Sequence, residues 1–217
     1  MSDSRITKEK AFEMLEEDTS DWDVVQNCEK IFLRKKKMKD SEVEYGRTTA
    51  ELDIPADELH RILAKPEIWE KYLNGFYDVK ILEHIDHDEV IVYAKYWMPG
   101  ITDRDFVCRI KRYRNVGCYK YLVINESVEH PDAPIDSKYV RGKFNVVWGV
   151  MSFGSNRSLF EEIINVDPAG KIPKWMVNIG LGLSLRFYIF DLKRIYPKAK
   201  NDGALLNDNL ILKLKEK

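Results

Sequence analysis

The apolar and polar positions divide the chain into helical and strand-like stretches. Thr7 to Glu17 places Ala11, Phe12, Met14 and Leu15 at helical spacing, which predicts a short amphipathic helix broken by the polar run Asp18 to Asp21. Strand-like segments follow at Trp22 to Val25, Lys30 to Arg34 and Glu42 to Leu52, with a turn expected at Lys39-Asp40-Ser41. At Asp53-Ile54-Pro55 the period changes. A proline in a first helical turn, with Asp57 and Glu58 behind it, marks a helix start, and Leu59, Ile62 and Leu63 form its apolar face. Pro66 predicts a break, after which Trp69, Tyr72 and Leu73 share one side of another turn or so.

From Tyr77 to Val166 the pattern is strands and turns. Strands are expected at Val79 to Glu83, Val90 to Tyr96, Arg104 to Tyr113, Cys118 to Asn125, Tyr139 to Met151 and Leu159 to Val166. The third alternates cleanly, with Phe106, Cys108 and Ile110 on one face and Arg109, Lys111 and Tyr113 on the other. Such consecutive strands at hairpin spacing predict an antiparallel meander. Ile172-Pro173 then opens a helix expected to run to about Tyr196, with apolar residues almost all round. Such a helix must meet apolar material on each side. One side would be the sheet; the other would be a further helix, a membrane or an enclosed lipid. The pattern as a whole predicts one α+β domain over residues 1–200, a curved antiparallel sheet gripping the C-terminal helix, with a tail at 201–217.

Composition narrows the class. Basic and acidic residues number 35 and 36, so the charge nearly cancels, and the one basic run, Arg34 to Lys37, is too local for a nucleic-acid surface. Cys28, Cys108 and Cys118 are an odd set without CxxC spacing, which argues against a disulfide framework or a zinc site. With no apolar signal-like start, they favour a cytoplasmic setting. The stretch Trp175 to Leu192 approaches membrane-span length but carries Asn178, Arg186 and Asp191, so it reads as a buried or half-buried helix. His84 and His87, beside Asp86 and Asp88, read as a solvated turn rather than a metal site. No HExxH, GxSxG or phosphate-loop motif is present, which argues against an enzyme, and no cofactor is called for.

Several landmarks occur in order: Trp22 after the first helix, Trp69-Glu70, Asp103-Arg104-Asp105-Phe106-Val107, His130-Pro131, Val140-Arg141, and the run from Asp167-Pro168-Ala169-Gly170 through Ile172-Pro173-Lys174-Trp175 to Asn178. Together they resemble the START family, lipid-carrying domains related to the steroidogenic acute regulatory protein, over about Ala11 to Lys200. The stretch Tyr96 to Val107 and the IPxW junction look similar to its phosphatidylcholine-transfer member. The resemblance implies a helix-grip fold with an internal tunnel for one lipid. It also implies a monomeric carrier, a phospholipid as favoured cargo with a sterol possible, and transient contact with a membrane surface.

The lipid-lining residues expected on this basis are Trp69, Glu70, Val92, Tyr96, Arg104, Phe106, Cys108, Ile110, Asn145, Asn178, Leu181 and Leu185. Phe106 falls where the phosphatidylcholine carrier has a choline-cage aromatic, since a cation over a ring gains about 0.5–2 kcal/mol. The other cage positions fall on Val92 and Asn145, and for Asn145 a role inside the tunnel competes equally with an amide satisfied by the backbone; Ile110 stands where sterol carriers place a basic residue. For Arg104 and Asp105 a role in fixing the strand start and its loop competes with head-group contact. Adjacent Glu161 and Glu162 must send one side chain inward unless the strand edge is bulged; the favoured expectation is a bulged edge with both exposed. An alternative class is an interaction module that holds a lipid and signals through the tail Gly203 to Lys217. Aromatic cyclases on related folds need polar catalytic groups in the tunnel, and no such set is found.

Overall fold

A computed structural model describes residues 5–28, 30–39 and 41–206. Helix α1 (Lys8–Glu16) is capped by the Thr7 hydroxyl, which accepts from the Lys10 N–H at 3.1 Å. Strands β1 (Asp23–Cys28), β2 (Ile31–Lys36) and β3 (Tyr45–Leu52) follow. Helix α2 (Ala56–Ala64) starts after Pro55, and α3 (Pro66–Tyr72) restarts with Pro66 in its first turn, where a missing N–H costs no hydrogen bond. Next come β4 (Phe76–His84), β5 (Glu89–Tyr96), β6 (Arg104–Val116), β7 (Tyr119–Ser127), β8 (Val140–Arg141), β9 (Lys143–Ser152) and β10 (Ser158–Asp167). The chain then enters α4 (Lys174–Asn201).

One curved sheet contains every strand, in the order β1-β2-β3-β10-β9-β7-β6-β5-β4, with β8 added parallel to β6. The path pairs are antiparallel, as the meander pattern predicts. The β3–β10 pairing joins the first hairpin to the meander across more than 100 residues of chain. The segment expected as one strand from Tyr139 is two. Arg141 is drawn to Asp105 of β6, and at Gly142 a Cβ would sit 2.5 Å from the Phe106 ring, so the chain jogs there before β9 joins β7.

Alternation sorts the residues onto two faces. The inner face, with Leu33, Ala50, Leu52, Val92, Ile110, Val123, Val146, Val150 and Phe160, packs against α2, α3 and α4. The outer face packs Tyr119, Leu122, Ile124, Val147 and Ile163 against Ala11 and Leu15 of α1. Each fully buried Leu, Ile or Val contributes about 1.5–3 kcal/mol. Helix α4 presses Leu185 onto β3, where a Cβ on Gly46 would lie 2.9 Å from a Leu185 methyl. It runs beyond the expected end, through Pro197 to Asn201. No helix among the described residues is long and apolar enough to cross a membrane. The tail beyond residue 206 lies outside the described residues.

Candidate functional site

The residues expected to line a lipid fall mainly on the inner face of β5, β6, β7 and β9 and on the facing helices, which make up the candidate site. The β5–β6 ladder sets Val90 opposite Ile110, Val92 opposite Cys108, Ala94 opposite Phe106 and Tyr96 opposite Arg104. Val92, Phe106, Cys108 and Ile110 are all buried on this face. The Phe106 ring meets Phe144 edge-on at 6.0 Å. Burial pushes the Cys108 thiol up to about 12, so it remains a neutral, weakly polar group on this face. Trp69, Phe76 and Tyr96 form an aromatic chain with ring separations of 5.8 and 5.1 Å. From α4, Leu181 and Leu185 are buried in the same core.

Four other expected lining residues stand differently. Arg104 is buried at the end of this face, and each guanidinium nitrogen donates to a backbone carbonyl, of Thr102, Pro168 and Ala169. It clamps the junction before α4, where Ala169 and Gly170 both have positive φ. The Glu70 carboxylate accepts from the N–H groups of Asp78 and Val79 at 3.2 and 3.3 Å, holding the start of β4 rather than lining the interior. Asn178 accepts from the Glu44 N–H at 2.9 Å and pins α4 to the segment before β3. Asn145 falls on the outer face, because Phe144 and Val146 on either side of it face inward, and it accepts from the Ser127 N–H at 2.9 Å. One residue of register reverses a side chain, and that corrects the expected inward Asn145.

The remaining parts of the Asp103 to Phe106 run are latches. Asp103 accepts from the Met98 N–H at 2.9 Å and from the Tyr77 hydroxyl at 2.6 Å, which fixes the loop 97–103. Buried Asp105 takes two bonds from Arg141, at 3.0 and 2.8 Å. Through Arg104 the loop 97–103 and the start of α4 are tied at one end of the molecule. Exposed Trp97 and Ile101 on the loop, and Trp175, Met176 and Ile179 on α4, lie there.

Two inner-face polar groups were not among the expected contacts. Glu162 is fully buried: its carboxyl accepts from Trp148 Nε1 at 2.9 Å and Thr48 Oγ1 at 3.2 Å. Burial pushes it up to about 7 against those two bonds. The expected bulged edge is thereby corrected, since β10 is an internal strand paired on both sides and its adjacent acids must take opposite faces. Glu161 goes outward to Arg47, 3.6 Å away, and to the Tyr119 hydroxyl. Asn125, on β7, is wholly buried with neither side-chain amide atom hydrogen-bonded among the described residues. Its signal in the sequence is an amide closing the apolar run Leu122-Val123-Ile124.

Known proteins of similar sequence and shape bear on this arrangement. The family model described as START domain matches residues 7–200. The START domain-containing protein 10 of Mus musculus, like that of Homo sapiens, is 24% identical over 127 residues, 58% of this chain and 43% of the relative. The match therefore spans less than half the length of those curated relatives. The crystal structure of human STARD10 superposes with a TM-score of 0.82 at 18% identity, covering 91% of this chain and 82% of that one. The human StAR-related lipid transfer protein 5 gives 0.76 at 16% identity, covering 88% and 99%. At these identities the two structures share the fold with this chain.

Proposed function

The chain belongs to the START domain family, and from that premise we propose that it binds and transfers lipid, holding one molecule between the inner face of the sheet and α4. The observation that carries this reading is the two-sided apolar character of α4. One side buries Leu181, Leu185, Ile189, Leu192 and Ile195, and the opposite side exposes Met176, Ile179, Leu183, Phe187 and Phe190. A helix that is apolar toward both its own core and the outside suits a cover that opens at a bilayer surface.

The energetics fit a carrier. Each methylene moved out of water contributes about 0.8 kcal/mol, and a bilayer offers the same gain. Exchange between protein and membrane is then close to balanced, and selectivity rests on polar contacts and shape. A phospholipid is the cargo that the resemblance favours, with a sterol as the alternative. The exposed stripe on α4 and the loop 97–101 form the docking rim. The chain acts in the cytoplasm as a monomer and performs no chemistry on its cargo.

Native mass spectrometry before and after exposure to mixed-lipid vesicles tests the reading. A stoichiometric adduct of one lipid mass is the expected result. No adduct from any vesicle overturns the carrier reading. The tail that motivates an interaction module lies largely outside the described residues, and no observation here favours that second reading.

A further inference from the structure

Positive charge gathers around one imidazole where α2 crosses the β6–β7 hairpin. Arg114 of β6 stands directly opposite Tyr121 of β7, and Arg112 stands opposite Val123, two residues along. Cross-strand neighbours of this kind lie about 5 Å apart. The Tyr121 ring stacks on His60 of α2 with centroids 4.0 Å apart, and Arg61 adjoins His60 in the chain. Each of the three arginines pushes the His60 imidazole down by more than Asp57 pulls it up. The acids at this end are engaged elsewhere. Asp57 accepts from the Tyr121 hydroxyl and pairs with Lys120 at 2.8 Å. Glu67, Asp86 and Asp88 act on Arg112, which also donates to the Ala64 carbonyl at 3.1 and 2.8 Å. Arg61 and Arg114 make no ion pair and no side-chain hydrogen bond among the described residues. Arg114 is exposed and Arg61 half-buried, so solutes reach them. His60 Nε2 is buried with no hydrogen-bond partner among the described residues. The cluster thus lacks both a counter-charge and a hydrogen-bond acceptor, and an anion supplies both.

We propose that Arg61 and Arg114 bind a soluble phosphate monoester, with His60 beside them as the group that senses its charge. Two unpaired guanidinium forks match a dianion with several acceptor oxygens, and a phosphate monoester carries about −1.5 to −2 at pH 7. A single carboxylate would neutralise only one of them. A bilayer is poorly placed to supply the group. Arg104 ties the loop 97–103 to the start of α4, and Arg114 lies ten residues further along β6, roughly 33 Å away along the strand. A membrane met by the docking rim proposed above therefore does not reach this cluster. The choice of a soluble source rests on that docking reading, whereas the anion site is independent of lipid carriage.

The test follows the His60 ring by NMR in the full chain. Sulfate stays divalent across pH 4–8, so the His60 titration is compared in sulfate and in chloride at equal ionic strength. Sulfate is expected to raise the His60 pKa from about 4 by about one unit. At pH 7.5, inorganic phosphate and inositol 1-phosphate should shift the same resonances saturably. At tenfold excess over Kd they should also raise the melting temperature by about 3 °C or more. Arg61→Gln, Arg114→Gln and the double variant should weaken or abolish these anion effects. The same changes should raise the His60 pKa in chloride, because repelling charges are removed. Equal titrations in sulfate and chloride, or anion shifts that persist in the double variant, would overturn the proposal. Vesicles carrying phosphatidylinositol 4-phosphate are the last arm. If they shift His60 and the soluble phosphates do not, the ligand is a lipid head group and the soluble assignment fails. Lipid uptake, read separately as adduct mass, is unaffected by any of these outcomes.

Discussion

One buried and one half-buried side chain set opposing pH dependences. The Glu162 carboxyl titrates at about 7 when folded, above its ordinary 4.5. Its favourable contribution is complete below pH 4.5, falls as pH rises, and above about pH 7 the buried charge costs about 3 kcal/mol. His60 is the reverse case. Stacked on Tyr121 at 4.0 Å, its imidazole is pushed down to about 4 by burial first and then by Arg112, Arg114 and Arg61. Stability that rests on neutral His60 is complete above pH 6.5 and is lost as pH falls toward 4. Between these limits the two trends largely cancel. Glu162→Gln should therefore raise stability at pH 8 and leave it little changed near pH 4, whereas His60→Phe should raise it near pH 4. Chemical denaturation across pH 4–8 checks both; parallel profiles for wild type and both variants would refute the assignments. The sequence offered both acids at 161 and 162, and only the placement of β10 inside the sheet determined which is buried.

At the scale of elements, α4 decides how a lipid enters. Gly180 and Gly182 interrupt it near its start. A Cβ at Gly182 would lie 3.2 Å from Val25 of β1, whereas a Cβ at Gly180 would meet nothing within 4 Å. Gly182 therefore accommodates a close approach, and Gly180 is free to serve as a point of flexure. Replacing an interior helical glycine by alanine contributes about 1 kcal/mol to the helix. Gly180→Ala should raise thermal stability and increase amide protection across 174–190. If opening of this helix limits transfer, it should also slow lipid exchange between vesicles. Hydrogen exchange with and without vesicles measures the first effect and a dequenching assay the second. Equal protection in both proteins removes Gly180 from the opening. The helix itself was legible from its apolar content. Its continuation through Pro197 was not, because a proline near a helix end needs only a docked last turn, and Ala199 provides one by burying against the core.

At the scale of the whole molecule, helix α4 exposes more large apolar side chains than any other element among the described residues. Leu183 and Phe187 are 56% and 63% exposed near the middle of the α4 stripe. Changing both to Glu should leave the melting temperature within about 2 °C, because exposed positions rarely shift stability by more than about 0.5 kcal/mol. Vesicle binding should fall tenfold or more, since each lost side chain forfeits about 1.5–3 kcal/mol of apolar transfer. Sedimentation with vesicles provides the measurement, and undiminished binding would move the docking surface elsewhere.

What the sequence by itself determined are the local features: the helix starts at Thr7 and Pro55, the break at Pro66, the alternation of Phe106, Cys108 and Ile110, and the two-sided α4. These follow from spacing and turn chemistry within a few residues of chain. The α+β helix-grip architecture was legible through the resemblance. Tertiary structure alone decided the β3–β10 closure, the jog at Gly142, the outward Asn145, the latch role of Arg104 and the unpaired amide of Asn125. Each depends on the register between strands distant in sequence, and alternation along one strand fixes which residues share a face without saying which face is covered.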